Sequence, residues 1–168
     1  GNEMSNYEHD EQALITKILG PCQLPLAESM VKQLRDQESL LFIYHNTSNI
    51  GIQCSAVKRI CDQGKLFEIA QSSVESIACS AVRNITNQDM LFKIAKIGRG
   101  AVIREALKRI IDTDLLMEIA FDAKFDFDIR LHATNQICDE KTRKEVLEIL
   151  EPSPAEKTQY NSDIRSGM

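Results

Sequence analysis

Hydrophobic residues recur along this chain in short blocks that lie about 25 residues apart. The stretch LFEIA at 66–70 returns as LFKIA at 91–95 and as LMEIA at 116–120. Leucine and isoleucine are three residues apart in each stretch, and a small residue follows the leucine by four, which is the spacing of one helix face. The equivalent residues form two columns, Leu40, Leu66, Leu91, Leu116 and Ile43, Ile69, Ile94, Ile119. The pattern predicts a short helix whose buried stripe repeats from unit to unit.

A second motif lies between successive copies of the first. It reads SAVKRI at 55–60, SAVRNI at 80–85 and EALKRI at 105–110. The earlier SMVKQL at 29–34 has the same pattern, and IRLHATNQI at 129–137 repeats it after an insertion of one or two residues. Each unit therefore contains two helices.

Turn and capping residues mark the boundaries of these helices. An aspartate or asparagine precedes each first helix, where its side-chain oxygen can accept from free backbone N–H groups. These predicted N-caps are Asp36, Asp62, Asn87, Asp112 and Asp139. Glycines are expected in the turn inside each unit, at Gly51, Gly98 and Gly100. The predicted helices span 8–19, 25–35, 38–46, 50–61, 64–71, 74–86, 88–97, 100–111, 114–121, 128–138 and 140–150, with no strand.

Three regions follow from these assignments. Residues 1–7 are expected to be disordered, and residues 8–150 are expected to form one domain of stacked helix pairs. The segment 151–168 has two prolines, many polar residues and no apolar periodicity, so it is expected to be a flexible tail. Helices of eight to twelve residues are marginal alone, so the repeated stripes must be buried between neighbouring units. This predicts an all-α solenoid.

The repeat resembles a known class of helical repeats. The order LMEIA, a short turn, IREALKRI and then an aspartate before the next leucine resembles short bacterial HEAT-like repeats. It is also similar to the leucine-rich variant repeat, and the resemblance covers Pro25 to Leu150. It implies a right-handed α-α superhelix of about five to six two-helix repeats, whose second helices line a concave surface that binds another macromolecule.

The chain departs from that class of repeats in two respects. The apolar–arginine pair of the family is matched at Ile103–Arg104 and at Ile129–Arg130, whereas Cys54 and Cys79 replace the arginine in the middle units. The cysteine cluster of the iron–sulfur form is absent, so the resemblance brings no cofactor with it.

Composition narrows the possible environments. The chain has 168 residues, of which 43% are hydrophobic and 27% charged, and no apolar run approaches the roughly 20 residues of a membrane helix. The acidic start lacks the basic-then-apolar pattern of a secretion signal, so a cytoplasmic location is expected. Five scattered cysteines with no ligand spacing predict reduced, mostly buried thiols and no metal site.

The sequence shows no catalytic constellation. The GRG at 98–100 is too short for a phosphate-binding loop, and no strand precedes it. His9, His45 and His132 have no partner at metal-ligand spacing, and no serine or cysteine lies in a nucleophile motif. We therefore expect a protein that is not an enzyme.

One polar column is distinctive. Basic residues share a position in four successive second helices, at Lys32, Lys58, Arg83 and Lys108, and Arg59 and Arg109 lie beside them. Such a column predicts a strip for an acidic peptide, an acidic protein surface or a nucleic-acid backbone. The alternative is an ordinary solvated helix face, because lysine and arginine are good helix formers.

The insertion FDAKFDFD at 121–128 is the other irregular feature. Phe121 is expected in the core, whereas Phe125 and Phe127 are expected to cap the fold or to form an apolar patch.

These observations favour a non-catalytic scaffold that binds a protein partner through the second-helix face. One alternative is a nucleic-acid-binding HEAT-like protein, such as a DNA-glycosylase-like module. A net charge of −5 and the absence of tryptophan count against it. A structural or regulatory module is the third possibility.

The first prediction concerns the buried stripe. Substitution of Ile94 by aspartate places a charge in the middle of the array, where an unpaired charge is strongly unfavourable. We expect this variant to be unfolded by circular dichroism, and a melting curve like that of the parent would contradict the stacked-helix prediction.

Overall fold

The described part of the chain is entirely helical. The computed structural model describes residues 2–150 and 162–167, with side chains from residue 11 onward, and no strand occurs among them. Residue 1 of the predicted disordered start, and residues 151–161 and 168 of the predicted tail, lie outside the described residues. None of the described helices combines the length and apolar character that a membrane crossing requires. The all-α prediction is confirmed.

The chain divides into two compact units, 1–106 and 107–168. The first unit contains the helices α1 (Asn2–Leu19), α2 (Leu24–Val31), α3 (Gln37–Asn46), α4 (Ile50–Val57), α5 (Gln63–Ile69), α6 (Glu75–Val82) and α7 (Gln88–Ile97). Helix α8 (Ala101–Arg109) spans the boundary, and the second unit contains α9 (Thr113–Phe121), α10 (Phe127–Asn135) and α11 (Glu140–Ile149). Residues 162–166 are also helical.

The predicted hydrophobic columns lie in the core. All eight leucines and isoleucines of the two columns are buried, and so are Ala70, Ala95 and Ala120, which follow them. The position after the isoleucine is only half-buried at Tyr44. In the first unit α3 packs on α4 and α5 on α6, and the second helices α2, α4 and α6 contact one another in order.

The second helices end two to four residues earlier than the pattern predicts. After each of them the chain makes a tight turn with i to i+3 hydrogen bonds, such as Ile60 N–H to Val57 O (3.1 Å) and Ile85 N–H to Val82 O (3.0 Å). The last isoleucine of each motif is buried, but it reaches the core from this turn. Apolar spacing alone cannot distinguish such a turn from one more turn of α-helix.

All five predicted N-caps are confirmed. In each case the side-chain oxygen accepts from a backbone N–H two or three residues later, for example Asp62 from Lys65 (3.0 Å) and Asn87 from Met90 (3.0 Å). The other three are Asp36, Asp112 and Asp139. Thr142 also donates its hydroxyl to Asp139, and these bonds lower the pKa of that carboxyl.

The glycine prediction is correct at two positions and wrong at the third. Gly98 and Gly100 lie in the turn between α7 and α8, and Gly100 has a positive φ of 54°. A Cβ at Gly98 would lie 2.7 Å from Ile94 O, so this close turn requires glycine. Gly51 instead lies inside α4, where the side chain of Leu24 packs about 3.0 Å from the place of a Cβ.

The first residue of a first helix connects its unit to the following one. Gln37 donates through Nε2 to Arg59 O (3.0 Å) and accepts through Oε1 from Cys61 N–H (2.8 Å). Gln63 repeats this with Asn84 O (3.1 Å) and Thr86 N–H (2.8 Å). We call these two glutamines, together with Glu11 of α1, the turn clamps. Gln37 and Gln63 bind a carbonyl group and an N–H group of the tight turn in the next repeat, whereas Glu11 binds two N–H groups there.

Glu11 is the acidic member of this set. Its Oε1 accepts from the N–H groups of Arg35 (2.7 Å) and Asp36 (3.0 Å), and its Oε2 accepts from the Ser39 hydroxyl (2.8 Å). Burial by itself would raise the pKa of Glu11, but these hydrogen bonds outweigh it, so the pKa is lowered. The charged form of Glu11 is therefore the form that holds the first turn.

Another set of side chains binds the carbonyl groups at the ends of the second helices. Arg59 donates through Nη1 to Val31 O (2.6 Å), and Asn84 donates through Nδ2 to Lys58 O (2.5 Å). In the second unit Gln136 donates to Leu107 O (2.6 Å). We call Arg59, Asn84 and Gln136 the carbonyl caps, because each adds a donor to a carbonyl group at a helix end. Val31 O and Leu107 O also accept from the backbone of the tight turn.

The insertion in the second unit reverses the expected roles of two phenylalanines. Phe121, expected in the core, is 48% exposed, because it follows Ala120 at a helix position that faces solvent. Phe125 is buried, since the chain turns back after α9 with Phe125 N–H donating to Asp122 O (3.1 Å). Phe127 is half-buried, and the Arg130 guanidinium lies 5.6 Å from its ring centre.

The cysteines are free thiols, but the prediction that most are buried is wrong. Only Cys79 is buried, whereas Cys61 and Cys138 are exposed. Both exposed thiols directly precede an N-cap aspartate, where the chain leaves the tight turn and the side chain has no neighbouring layer.

The turn clamps yield a second prediction. Substitution of Gln63 by methionine keeps the side-chain length but leaves Asn84 O and Thr86 N–H without their partner. We expect the free energy of unfolding to fall by about 1 to 2 kcal/mol. Gln33→Met is the matched control, because Gln33 is exposed and its side chain makes no hydrogen bond among the described residues. Equal urea midpoints for the two variants would contradict the clamp.

Candidate interaction surface

Three exposed cations stand at the ends of successive second helices in the first unit. Lys32, Lys58 and Arg83 are the C-cap residues of α2, α4 and α6, and all three side chains are exposed. We call them the basic row. The C-terminal end of a helix carries partial negative charge, which favours a cation there. This explains locally why the sequence places a lysine or arginine at this position in each unit.

The spacing of the basic row is set by the packing beneath it. Helices α2, α4 and α6 contact one another in that order, and packed helices lie about 8 to 10 Å apart. The turns that follow these helices are held by the turn clamps and the carbonyl caps. The three charges therefore form a line about 20 Å long on rigid backbone.

The members of the basic row differ in whether a carboxylate lies close enough to pair with them. Arg83 Nη2 lies 3.2 Å from Glu105 Oε1, and this hydrogen bond raises the pKa of Arg83. No carboxylate among the described residues lies within ion-pair distance of Lys32 or Lys58. The two lysines are therefore the strongest candidates for contact with an anionic partner.

Arg59 has a role that sequence reasoning missed. It was expected to thicken the basic strip, but its guanidinium is directed at the backbone and donates to Val31 O. Asn84 occupies the same repeat position and makes the same type of contact without a charge. The replacement of arginine by asparagine is the sequence signal for a hydrogen-bonding role at this position.

The remaining predicted cations, Lys108 and Arg109, belong to the second unit. Both lie in α8, where Lys108 is exposed and Arg109 is half-buried. Arg109 follows Arg59 and Asn84 in the repeat, which is the carbonyl-cap position.

The sides of helix α6, in the middle of the first unit, contribute little exposed surface. Six consecutive residues of α6, from Ile77 to Val82, are buried, including Cys79 and Ser80. A helix packed on one face only would leave about half of these exposed. The accessible parts of α6 are its first turn and its C-cap, Arg83.

Groups that could support chemistry are sparse. The described residues contain no cluster of three or more histidine, cysteine, aspartate or glutamate side chains placed to hold a metal ion. His45 and His132 are exposed, and the side chain of His9 lies outside the described residues.

Comparison of this chain with protein-family models, with curated proteins and with solved structures gives no match in any of the three.

A third prediction separates the two neighbouring basic residues. We expect Arg59→Met to lower the free energy of unfolding by about 1 kcal/mol, because Val31 O loses a hydrogen bond from a charged donor. Lys58→Met is the matched control, and its stability should remain within a few tenths of a kcal/mol of the parent. Chemical denaturation of both variants measures this, and the opposite order would mean that Arg59 is only a surface charge.

Proposed function

We propose that this chain is a non-catalytic binding module that holds an extended acidic segment of a protein partner along the basic row. The observation that carries the proposal is the row itself, three exposed cations on the C-caps of stacked helices, two of them without an ion-pair partner among the described residues. Within the proposal, the two-helix repeats wind into a right-handed superhelix of the HEAT-like type, which the sequence resemblance supports.

The spacing of the row supports an extended peptide in particular. An extended chain in the polyproline II conformation rises about 3.1 Å per residue with three residues per turn, so side chains three residues apart lie on one face about 9 Å apart. Stacked second helices have nearly the same separation. A partner with acidic residues at every third position can therefore bring one carboxylate to each cation.

The overall charge of the chain supports a protein partner over a nucleic acid. The net charge is −5, so the basic row is a local positive feature on an acidic molecule. Nucleic-acid binding requires many phosphates to be neutralised together, and the negative net charge of the chain repels those phosphates. A short acidic segment needs only the local row.

The fourth prediction is a binding experiment with two peptides of identical composition. One carries three glutamates at every third position, and the other carries them consecutively. Fluorescence anisotropy at low salt should show tighter binding of the spaced peptide. Lys58→Glu combined with Arg83→Glu should weaken that binding by about tenfold or more, because attraction at two positions becomes repulsion.

The control variant is Lys93→Glu combined with Lys96→Glu, which changes the net charge equally on the exposed face of α7. It should bind the spaced peptide almost as the parent does. Unchanged affinity of the row variant would contradict the proposal. Tighter binding to a short DNA duplex than to either peptide, with steep salt dependence, would favour the nucleic-acid alternative instead.

A further inference from the structure

A cavity of about 480 Å³ opens in the first unit where the turn after α5 meets the turn between α7 and α8. Its floor is apolar and consists of the buried residues Ala70, Ile94 and Val102. Ile97 at its rim is 57% exposed. The volume falls in the range of small-ligand sites, about 300 to 1,000 Å³, which are mostly apolar with a few polar groups.

The cavity is a local difference between repeats. Ala70 occupies the column in which the preceding repeat has Tyr44. The side chain of Tyr44 is half-buried, and this burial raises the pKa of its phenol. An alanine in this column leaves open the space that a tyrosine ring takes. Ala95 and Ala120 share this column, so the alanine contributes to the cavity and does not by itself account for it.

Two opposite charges line this cavity without neutralising each other. Glu75, the first residue of α6, and Arg99, in the turn after α7, both line it, and neither forms an ion pair with any described residue. Glu75 Oε2 comes within 3.3 Å of the place of a Cβ at Gly100, so the carboxylate reaches the turn that carries Arg99. Arg83 and Glu105 in the same unit do pair.

We propose that this cavity binds a short zwitterionic peptide with apolar side chains, such as a dipeptide. Its ammonium group pairs with Glu75, its carboxylate pairs with Arg99, and its side chains cover Ala70, Ile94 and Val102. Two extended residues span about 7 Å, a length that suits a ligand held at both ends within a cavity of this volume. The site lies at the first turn of α6, whereas the basic row lies at its C-cap, so the two sites are independent.

The test uses the dipeptide Leu-Leu and three modified probes, titrated into the full-length protein and followed by the backbone amide signals of Gly98 and Arg99. N-acetyl-Leu-Leu lacks the ammonium, Leu-Leu-amide lacks the carboxylate, and the doubly blocked peptide lacks both. We expect Leu-Leu to bind best, and we expect each single blocking to weaken it by up to about fivefold, the size of an exposed ion pair.

Two charge variants identify which end each residue binds. Arg99→Gln should abolish the preference for Leu-Leu over its amide, and Glu75→Gln should abolish the preference over the acetylated form. Arg104→Gln is the control, because Arg104 is exposed on α8 outside the cavity lining, and it should change neither preference. Ala70→Tyr fills the cavity and should remove binding, and the charge variants decide the matter if it does not fold.

Three results would overturn the proposal. They are equal affinity for all four probes, tighter binding of the doubly blocked peptide, and absence of shifts at Gly98 and Arg99 up to the solubility limit of Leu-Leu. The second result would assign the cavity to an internal apolar segment of a partner protein.

Discussion

The constraint on which this structure depends is that its helices are too short to satisfy their own backbone. Helix α5 has seven residues and α3 has ten, and each helix leaves up to four N–H groups and four carbonyl groups without intrahelical partners. Over so many short helices these end groups form a large part of the polar backbone. The N-caps satisfy N–H groups within a repeat, and the turn clamps and carbonyl caps bind further end groups from the neighbouring repeat. Repeats are joined by these contacts as well as by their apolar stripes.

Much of this fold could be predicted because its main signals are local in the sequence. The leucine and isoleucine columns and the N-cap residues act within a few positions of one another, so spacing alone identifies them. The turn clamps could not be found in that way, since Gln37 and Gln63 bind backbone groups 21 to 24 residues away. A signal was nonetheless present: Asp-Gln at 36–37 and 62–63 and Asn-Gln at 87–88 repeat with the period of the units.

Prediction failed where one residue type serves two purposes. Arg59 is of a residue type that is typical of a charged surface, but its guanidinium caps a carbonyl group. The only sequence signal for this role is that Asn84, an uncharged donor, occupies the same position of the next repeat. Phe121 and Phe125 are equally apolar, and the turn after α9 decides which of them is buried. The two ends of the second helices carry different kinds of surface. The clamped turns carry the regular basic row, whereas the turns inside the units vary in length and leave the cavity beside Ala70.

Side chains of one repeat hold the backbone of the next, and amide hydrogen exchange tests this coupling most directly. The N–H groups of Cys61 and Thr86 lie in exposed turns and have the turn clamps as their acceptors. They should exchange as slowly as amides inside neighbouring helices, and Gln37→Met should speed exchange at Cys61 while leaving Thr86 protected. Exchange of both amides at the rate of an unstructured chain in the parent protein would contradict the account.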